Sequence, residues 1–467
     1  MALHDLSALE QAEAIKSGEL TAVELTQHYL RRSEAVTGAF VVLTPDLALA
    51  QARAADAAVA DGSAVGDLLG VVCPVKDLNF MVGANARMGS AALDLHSYED
   101  DYVVQAMREA GLVFTGKTTT PEFGLPCYTE PEPEVSAPAR CVWDAARTAG
   151  GSSGGAAVAV ASGLAPIAQG SDGGGSVRIP ASANGLVGIK PSRGRVSNGP
   201  LRDPVGDLVT GGPLARTVAD AAALLDVMSV PFPGDPHYAP PPASSFLQAA
   251  RTPVGSLRIG FFSEPIITNV PVDPRSREAV EQTASRLAEL GHMVEQIPRP
   301  FGPELVPQFE ALWYTLAALT PVMPEDEAKL QPMTSYLRSL GLGVTGLQLA
   351  MAVSLLRIQT RATLAAWKDF DVVLTPTVNG PAPLVDDIVD LDDPAQDFEN
   401  QKRWAAYTAA FNMTGQPAVS VPMHWTPDGL PIGVQLVGHM YAEETLIRLA
   451  AQLEQAHPWH DRKPAAW

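Results

Sequence analysis

The sequence predicts an α/β fold, and three observations support this fold class. Apolar residues make up 46% of the 467-residue chain and charged residues only 18%, a composition typical of a protein with a large buried core. Capped helical patterns alternate along the chain with short apolar, β-branched runs that are typical of buried strands. One such run, from Leu68 to Val75, ends directly before Lys76. Functional groups often follow the carboxyl ends of strands in α/β folds, so Lys76 is a candidate site residue.

The first two predicted elements are helices that begin with capping boxes. In Ser7-Ala8-Leu9-Glu10 and Thr21-Ala22-Val23-Glu24, the hydroxyl and the carboxylate each satisfy a free backbone amide at the helix start. The first helix is expected to end at Gly18, because glycine commonly ends helices, and the second near Val36. The patterns that follow predict a helix over 101–110, a strand over 112–114 and a tight helix of small residues over 156–162. The stretch 212–217 is predicted to start a further helix that runs to Met228.

The second half of the chain is expected to continue the same domain. Residues 231–242 are rich in proline and glycine, but a strand pattern resumes at 257–261, so we interpret them as a surface loop and not as a linker. A single domain over residues 1–467 is therefore predicted. Its remaining elements are a helix over 276–290, a mostly helical segment over 304–367, a strand over 371–377, an acidic surface loop over 385–399, strands over 419–422 and 432–438, and a helix over 443–454.

Charge and cysteine content disfavour several classes of protein. The net charge of −20 argues against nucleic-acid binding, which needs a basic surface, and against binding to an anionic membrane. No apolar run reaches the ~18 residues of a membrane span, and the N-terminus lacks a signal-peptide pattern. Cys73, Cys127 and Cys141 are an odd number without metal-ligand spacing, which favours a reducing compartment. We therefore expect a cytoplasmic protein without nucleic-acid or membrane partners.

Two serines lie in glycine-rich nests near the middle of the chain. Ser152 lies in Gly150-Gly151-Ser152-Ser153-Gly154-Gly155, and Ser176 ends Ser171-Asp172-Gly173-Gly174-Gly175-Ser176. A serine in such a nest combines a hydroxyl nucleophile with backbone donors for a developing oxyanion, as acyl transfer requires. A flexible linker is disfavoured because apolar helical residues separate the nests, and a phosphate loop is disfavoured because its lysine motif is missing.

The two nests and the strand before Lys76 resemble the signature of the amidase signature family of serine hydrolases. Members of that family use a Ser–cis-Ser–Lys triad, and the resemblance implies Ser176 as the nucleophile, Ser152 as the bridging cis-serine and Lys76 as the base. The lysine motif Gly70-Val71-Val72-Cys73-Pro74-Val75-Lys76-Asp77 fits the family's Gly-x-x-x-Pro-x-Lys-Asp. The resemblance also implies a cis peptide between Gly151 and Ser152. It further implies an oxyanion hole built from the amides of Gly173, Gly174, Gly175 and Ser176.

The chemistry of these residues agrees with the implied roles. A serine hydroxyl is nearly inert near neutral pH unless a base accepts its proton. The signature stretch contains no histidine, which weakens a Ser-His-Asp interpretation and leaves Lys76 as the candidate base, with Ser152 relaying the proton. A lysine can accept a proton only when it is uncharged, and burial favours that form. We therefore expect Lys76 to be buried and Asp77 to point away from it.

Three further residues of the signature are expected to support the loop. Ser153 is predicted to be structural, and Asp172 and Arg178 are predicted to brace the nucleophile loop through a charge-assisted bond. A direct contact of Arg178 with substrate is the alternative. None of the three cysteines has a histidine partner in its sequence context, so none is a predicted nucleophile.

The resemblance covers nearly the whole chain, with the core signature over 70–230. Two departures concern a local loop and the pocket rim: Thr119 stands where the family usually has asparagine, and Cys141-Val142-Trp143-Asp144 replaces Asn-Pro-Trp-Asp. The segment 304–367 is the least family-like, and we expect it to build the substrate pocket together with loops. Its apolar stripe is nevertheless more typical of a core than of a pocket. The stripe comprises Phe309, Trp313, Tyr314, Met333 and Tyr336.

The resemblance implies a large, twisted, mixed central sheet flanked by helices on both sides. It implies hydrolysis of carbon–nitrogen amide bonds through an acyl-enzyme, with neither a metal nor an organic cofactor. The nest before Ser176 looks most like the branch that acts on 6-aminohexanoate oligomers and on aryl or alkyl amides. Relatives in that branch also accept esters, anilides and carbamates, so urethane cleavage is a further expectation.

Two alternative functions stay open at this point. The first is the glutaminyl-tRNA-forming component of a tRNA-dependent amidotransferase, which needs partner subunits and RNA and is disfavoured by the charge of −20. The second is a catalytically dead scaffold, which has no need of an intact Lys76, Ser152 and Ser176. We expect a monomer or homodimer that acts alone on a small-molecule amide.

Overall fold

The structure is a computed structural model that describes residues 2–63, 66–202 and 205–467. Helices and strands alternate along these residues. The strands are β1 Phe40–Leu43, β2 Val75–Lys76, β3 Gly116–Thr118, β4 Ile167–Asp172, β5 Val187–Lys190, β6 Thr210–Ala215, β7 Arg258–Phe261, β8 Met293–Gln296, β9 Val372–Pro376, β10 Ala418–Trp425 and β11 Pro431–Gly438. The helices are α1 Ala8–Ser17, α2 Ala22–Ser33, α3 Pro45–Ala60, α4 Tyr102–Glu109, α5 Gly154–Ala161, α6 Arg178–Asn184, α7 Val218–Met228, α8 Phe246–Ala250, α9 Pro274–Glu289, α10 Val306–Ala318, α11 Pro332–Leu342, α12 Gly346–Ala366, α13 Val385–Ile388, α14 Pro394–Trp404, α15 Ala409–Thr414 and α16 Glu443–Ala456.

The strands form one large mixed sheet and one small sheet. The large sheet has the order β4-β6-β5-β10-β11-β9-β7-β8. Its pairs from β4 to β9 are antiparallel, whereas β7 runs parallel to both β9 and β8. The small sheet has the order β1-β3-β2, with β3 antiparallel to β1 and parallel to β2. A mixed sheet flanked by helices confirms the predicted fold class.

The two sheets are joined where β2 lies beside β4, and Gln169 makes the connection. Its backbone N–H donates to the Pro74 carbonyl at 3.2 Å, and its side-chain oxygen accepts a hydrogen bond from the Lys76 N–H at 2.9 Å. Its side-chain nitrogen donates to Asn79 Oδ1 at 3.0 Å. Because Gln169 is fully buried, these bonds fix the end of β2 against the large sheet. Lys76 therefore begins at the junction between the sheets.

The strand predicted over 68–75 is buried throughout, but its regular pairing is confined to Val75–Lys76. Val72 forms a single parallel bridge with Val113, and the ladder resumes only after Pro74, which has no N–H to donate. The strand predicted over 112–114 is displaced, because the regular strand β3 lies four residues farther along the chain, at Gly116–Thr118. The buried, extended path that leads to Lys76 is nevertheless the one predicted.

The prediction of an acidic surface loop over 385–399 is wrong, because these residues form α13 and the first part of α14. The Asp393 carboxylate accepts hydrogen bonds from the backbone amides of Ala395 and Gln396, both at 3.1 Å, and so caps the start of α14. Pro394 occupies the first helical position, where a missing N–H costs nothing. The loop predicted over 231–242 contains neither a helix nor a strand in the structure.

The divergent segment is helical, as predicted, and forms α10, α11 and α12. Its aromatic residues pack into a cluster with α14 and α15, in which Met333 is 4% exposed and has the core position that was expected. Within the described residues, neither α12 nor any other single helix is long and apolar enough to cross a membrane. The bent pair α11 and α12 meets the criterion of length and composition only when both helices are counted together.

The first helix is held to the body of the protein by a buried carboxylate. Asp220 in α7 is 1% exposed and accepts hydrogen bonds from the backbone amides of Ala8 and Leu9, both at 3.1 Å.

Asp220→Ala would leave these amides without an acceptor, and we expect a loss of about 2 kcal/mol in the free energy of unfolding. A decrease in Tm measured by calorimetry checks this prediction. Glu13→Ala, on the exposed side of the same helix, is the control and should leave Tm unchanged; equal Tm values for both variants would contradict the anchoring role.

Candidate active site

Lys76 lies beside Ser152 and Ser153, and its side chain is fully buried. Its Nζ donates to Ser152 Oγ at 2.8 Å and to Ser153 Oγ at 2.9 Å. It also approaches Ser171 Oγ at 3.2 Å and the Ser171 carbonyl at 3.4 Å. All these acceptors are uncharged, so no carboxylate is within hydrogen-bond distance of the amine in the described ranges. Hydroxyl groups can donate as well as accept, so the arrangement satisfies the amine in its neutral form.

The surroundings of Lys76 favour this neutral form. Burial lowers the pKa of Lys76 well below its ordinary value of 10.5. The charge of Asp172 opposes this shift, but it does not cancel it. Asp77, the next residue in the chain, forms a buried ion pair with Lys117, whose Nζ lies 2.6 Å from Asp77 Oδ1. The carboxylate nearest in sequence is thus neutralised by another lysine.

The second nest is held by a buried ion pair. Arg178 at the start of α6 donates from Nε and from one terminal nitrogen to the two carboxylate oxygens of Asp172, both at 2.9 Å. Burial alone would raise the pKa of Asp172, but the charge and hydrogen bonds of Arg178 hold it well below its ordinary value. Arg178 is itself fully buried and also donates to the Thr408 carbonyl and to Gln435 and Asn412. The guanidinium group therefore makes its hydrogen bonds within the protein. Arg178 also lines neither of the two cavities beside Ser176, which are described below.

The loop between Asp172 and Arg178 carries Ser176 and presents free backbone amides beside it. The Gly175 N–H donates to Asp172 Oδ1 at 2.8 Å, so this amide is already engaged. The amides of Gly173, Gly174 and Ser176 have no such acceptor among the described residues. Gly175 has a different role: its φ is +131°, and a Cβ there would lie 2.3 Å from Thr408 Oγ1. Only glycine fits this position of the loop.

Ser176 is 7% exposed and faces the same cavity as Ser152. The peptide bond between Gly151 and Ser152 is cis. The Ser153 N–H donates to the Ser176 carbonyl at 3.1 Å, which ties the two nests together through their backbones. The Ser176 hydroxyl forms no hydrogen bond within residues 2–63, 66–202 and 205–467. It is therefore available to a ligand in the cavity.

Two cavities meet at Ser176. The larger is a cleft of about 550 Å³, which we call the wide cleft. Apart from Ser152, Ser171 and Ser176, its walls are mainly apolar, and Arg202 is its one charged residue among those described. The smaller cavity, the narrow pocket, has a volume of about 60 Å³. The wide cleft is lined mainly by residues of 78–125, 197–211 and 313–321, and the narrow pocket by residues of 125–127, 174–179, 306–313 and 398–409.

Of the divergent segment, only residues 306–321 line the two cavities, and they include residues that were interpreted as core, whereas α11 and α12 line neither cavity. Phe309 and Trp313 are 9% and 7% exposed, and they are part of a buried aromatic cluster. Trp313 nevertheless lines both cavities, and Phe309 lines the narrow pocket. The interpretation of this stripe as core is therefore incomplete, because one face of α10 packs against the protein and also bounds the site.

Sequence reasoning missed several residues that hold the site together. Asn412 donates from Nδ2 to Asp172 Oδ1 at 2.8 Å, and Thr408 donates to the Gly174 carbonyl at 2.7 Å. Lys190 is buried near the ion pair, and burial and the charge of Arg178 lower its pKa to about 7. Lys190 lies in the core signature over 70–230 and Asn412 in the C-terminal part of the chain, which also resembles the family, but sequence alone does not indicate which loop these side chains contact. Within the described ranges, no group of three or more His, Cys, Asp or Glu side chains is arranged to hold a metal ion.

Comparison with known proteins places this chain in a family. The family model described as Amidase matches residues 24–447. A 6-aminohexanoate-cyclic-dimer hydrolase from Paenarthrobacter ureafaciens is 34% identical, covering 98% of this chain and 96% of that protein. A solved structure of 6-aminohexanoate cyclic dimer hydrolase aligns with a TM-score of 0.90 at 32% identity, covering 100% of both chains. A component of the glutamyl-tRNA(Gln) amidotransferase from Thioalkalivibrio sulfidiphilus is 33% identical, covering 99% of both chains. The chain belongs to the amidase signature family.

Proposed function

We propose that this protein hydrolyses carbon–nitrogen amide bonds by a Ser–Ser–Lys mechanism in which Ser176 is the nucleophile. The observation that carries the proposal is the 2.8 Å contact between the buried Lys76 Nζ and Ser152 Oγ, at the edge of the cleft into which Ser176 faces. Membership of the amidase signature family and relatives that are hydrolases of amides support the reaction class. The roles of the individual residues follow from their chemistry.

In the acylation step, Ser176 Oγ attacks the amide carbon and transfers its proton to Ser152. Ser152 at the same time passes its own proton to neutral Lys76. This relay requires a contact between the hydroxyls of Ser152 and Ser176, and catalytic contacts of this kind often tighten only when substrate binds. The negative charge that develops on the amide oxygen is stabilised by the free amides of Gly173, Gly174 and Ser176.

Collapse of the tetrahedral intermediate breaks the carbon–nitrogen bond. The proton held by Lys76 returns through Ser152 to the leaving nitrogen, so the amine departs neutral and Ser176 carries the acyl group as an ester. A water molecule then attacks this ester and loses its proton along the same path. The acid is released, and Ser176 regains its proton. Each cycle consumes one water and leaves Lys76 neutral.

The substrate is expected to be an uncharged amide with a sizeable apolar part, because apolar side chains dominate the wide cleft. Anilides, esters and carbamates fit the same chemistry. The amidotransferase relative keeps the alternative of a component that works on tRNA, but the charge of −20 disfavours it. We propose that the chain acts alone, as a monomer or homodimer. Activity that required tRNA together with a partner protein would replace this proposal.

Replacing the nucleophile tests the proposal most simply. Ser176→Ala should reduce amide hydrolysis on the order of 10⁴-fold or more, because it removes the attacking oxygen without adding bulk. The measurement is kcat/KM on one chromogenic anilide, with Tm recorded to show that the variant is folded. Ser162→Ala, which removes the hydroxyl of a buried serine outside the site, should retain the parent rate. A folded Ser176→Ala protein with appreciable turnover would rule out Ser176 as the nucleophile.

The pH dependence should report the protonation of Lys76. Because burial lowers the pKa of Lys76 well below 10.5, its neutral form is populated at a lower pH than in a free lysine. Protonation removes the base, so activity should fall as the pH drops below this pKa and should reach a plateau above it. The measurement is a pH profile of kcat/KM for the parent protein.

Two variants test whether Lys76 acts as a base or only supplies a positive charge. Lys76→Ala should lose most of the rate together with the acid limb of the profile. Lys76→Arg should be equally poor, because a guanidinium group stays protonated at any working pH. Near-parental activity in Lys76→Arg would show that a positive charge is sufficient and would contradict the relay.

A further inference from the structure

The wide cleft and the narrow pocket are separate spaces that share only a short boundary. Ser176, Leu125 and Trp313 line both of them. Trp313 is the bulkiest of the three. A Cβ placed on Gly173 would lie 3.2 Å from Trp313 Cζ3, so the indole ring packs directly onto the nucleophile loop. The Trp313 side chain therefore lies at the boundary that the two spaces share.

The proton path distinguishes the two cavities. Ser152 and Ser171, which contact Lys76 Nζ, line the wide cleft but not the narrow pocket. In the proposed mechanism, Ser152 delivers a proton to the leaving nitrogen. That nitrogen must therefore lie on the Ser152 side of Ser176. The substituent on the nitrogen then extends into the wide cleft, and the acyl group lies on the opposite side.

We propose that the narrow pocket holds the acyl group and the wide cleft holds the leaving amine, so that the preferred substrates are short-acyl amides of bulky apolar amines. Trp313 is the residue that sets the limit on acyl size. This inference rests on the proposed function, because it uses the direction of proton transfer.

The volumes set the size limit. A cavity of about 150 Å³ lined by Leu, Ile and Phe accommodates benzene. The narrow pocket has about 60 Å³, sufficient for a few methyl or methylene groups, and a phenyl ring would have to extend out through its open side. The wide cleft has about 550 Å³ and exceeds the requirement of an aromatic amine. An acetyl or propionyl group fits the narrow pocket, whereas a phenylacetyl group does not.

The lining of the narrow pocket favours an uncharged acyl group. Lys402 is its one charged residue in the described part of the chain, and the amine pairs with Glu310 at 2.8 Å and with Glu399 at 2.5 Å. The Gln401 amide is also engaged, since its oxygen accepts from the Cys127 N–H at 2.9 Å and its nitrogen donates to Asp397 at 2.6 Å. These groups have partners already, which leaves apolar contact as the main interaction for an acyl chain.

Trp313 is held in place, so the limit on acyl size is expected to be sharp. Its ring stacks on Phe309 with centroids 5.3 Å apart and planes inclined by 20°. Both residues lie on α10, one turn apart, and belong to the buried aromatic cluster. A larger acyl group would have to displace this stack, and overpacking of a close-packed wall is unfavourable.

The test uses 4-nitroanilides, which keep the leaving amine constant while the acyl group varies. For the parent protein, kcat/KM should fall by ~10-fold or more between acetyl-4-nitroanilide and phenylacetyl-4-nitroanilide. Trp313→Ala should reduce this ratio by ~10-fold, because it opens the narrow pocket into the wide cleft. Leu316→Ala, on the same helix and in the wide cleft only, is the matched control and should leave the acyl preference unchanged. Trp313→Phe removes less of the side chain and should change the ratio of the two kcat/KM values in the same direction. This variant replaces Trp313→Ala in the test if Trp313→Ala does not fold.

The outcomes separate this inference from the function on which it rests. Equal rates for both acyl groups in the parent protein, or an unchanged ratio in a folded Trp313 variant, would overturn the assignment of the pockets while leaving amide hydrolysis in place. A preference for the longer acyl group would reverse the assignment. No turnover of any anilide, ester or carbamate would instead contradict the proposed function itself, and with it this inference.

Discussion

The burial of Lys76 is the constraint on which the site depends. A lysine with an ordinary pKa would be almost wholly charged near neutral pH and could not accept a proton. The protein places Lys76 at the junction of two sheets, where the hydrogen-bond partners of its Nζ among the described residues are serine hydroxyls and a backbone carbonyl. Carboxylates are present nearby, but each has another cation: Lys117 pairs with Asp77, and Arg178 pairs with Asp172. Each of these carboxylates is thus paired with a cation other than Lys76. Burial is therefore the main influence on the pKa of Lys76.

Buried ion pairing and hydrogen bonding also give the loop that carries Ser176 its shape. Asp172 uses its two oxygens to hold Arg178 and the amides of Gly175 and Val177. This leaves the amides of Gly173, Gly174 and Ser176 directed to no other described acceptor, as an oxyanion site requires. The loop is braced from the C-terminal half by Asn412 and Thr408, so residues far apart in sequence fix one turn. The proposed proton path and the proposed oxyanion site therefore both depend on a few buried hydrogen bonds, which are costly to break.

Much of this arrangement could be predicted from the sequence, for identifiable reasons. The helices that begin at Ser7 and Thr21 have capping boxes, which are local signals, and both form where predicted. Lys76, Ser152 and Ser176 were selected through their glycine-rich motifs and a family resemblance, and the structure brings Lys76 and Ser152 into contact. Gln169 joins the sheets through its side chain, and no sequence pattern distinguishes it from an ordinary strand residue. The prediction of a loop over 385–399 is wrong because it rests on the acidic composition of the segment. The segment also contains a local helix-start signal, an N-cap aspartate followed by proline. Trp313 was interpreted as core because the periodicity of apolar residues indicates which face of a helix is buried. Periodicity does not indicate whether that face contacts other side chains or lines a cavity.

The proposed mechanism requires Lys76 to be neutral at working pH, and titration of its side chain measures this protonation state. Protein labelled with ¹³C and ¹⁵N at lysine side chains can be followed by NMR over a range of pH, with Lys76→Met used to assign the Lys76 signal. We expect this signal to titrate well below the ordinary value of 10.5, while exposed lysines titrate near their usual value of about 10.4. A Lys76 signal that titrates together with the exposed lysines would show a charged amine in the resting protein and would contradict the account.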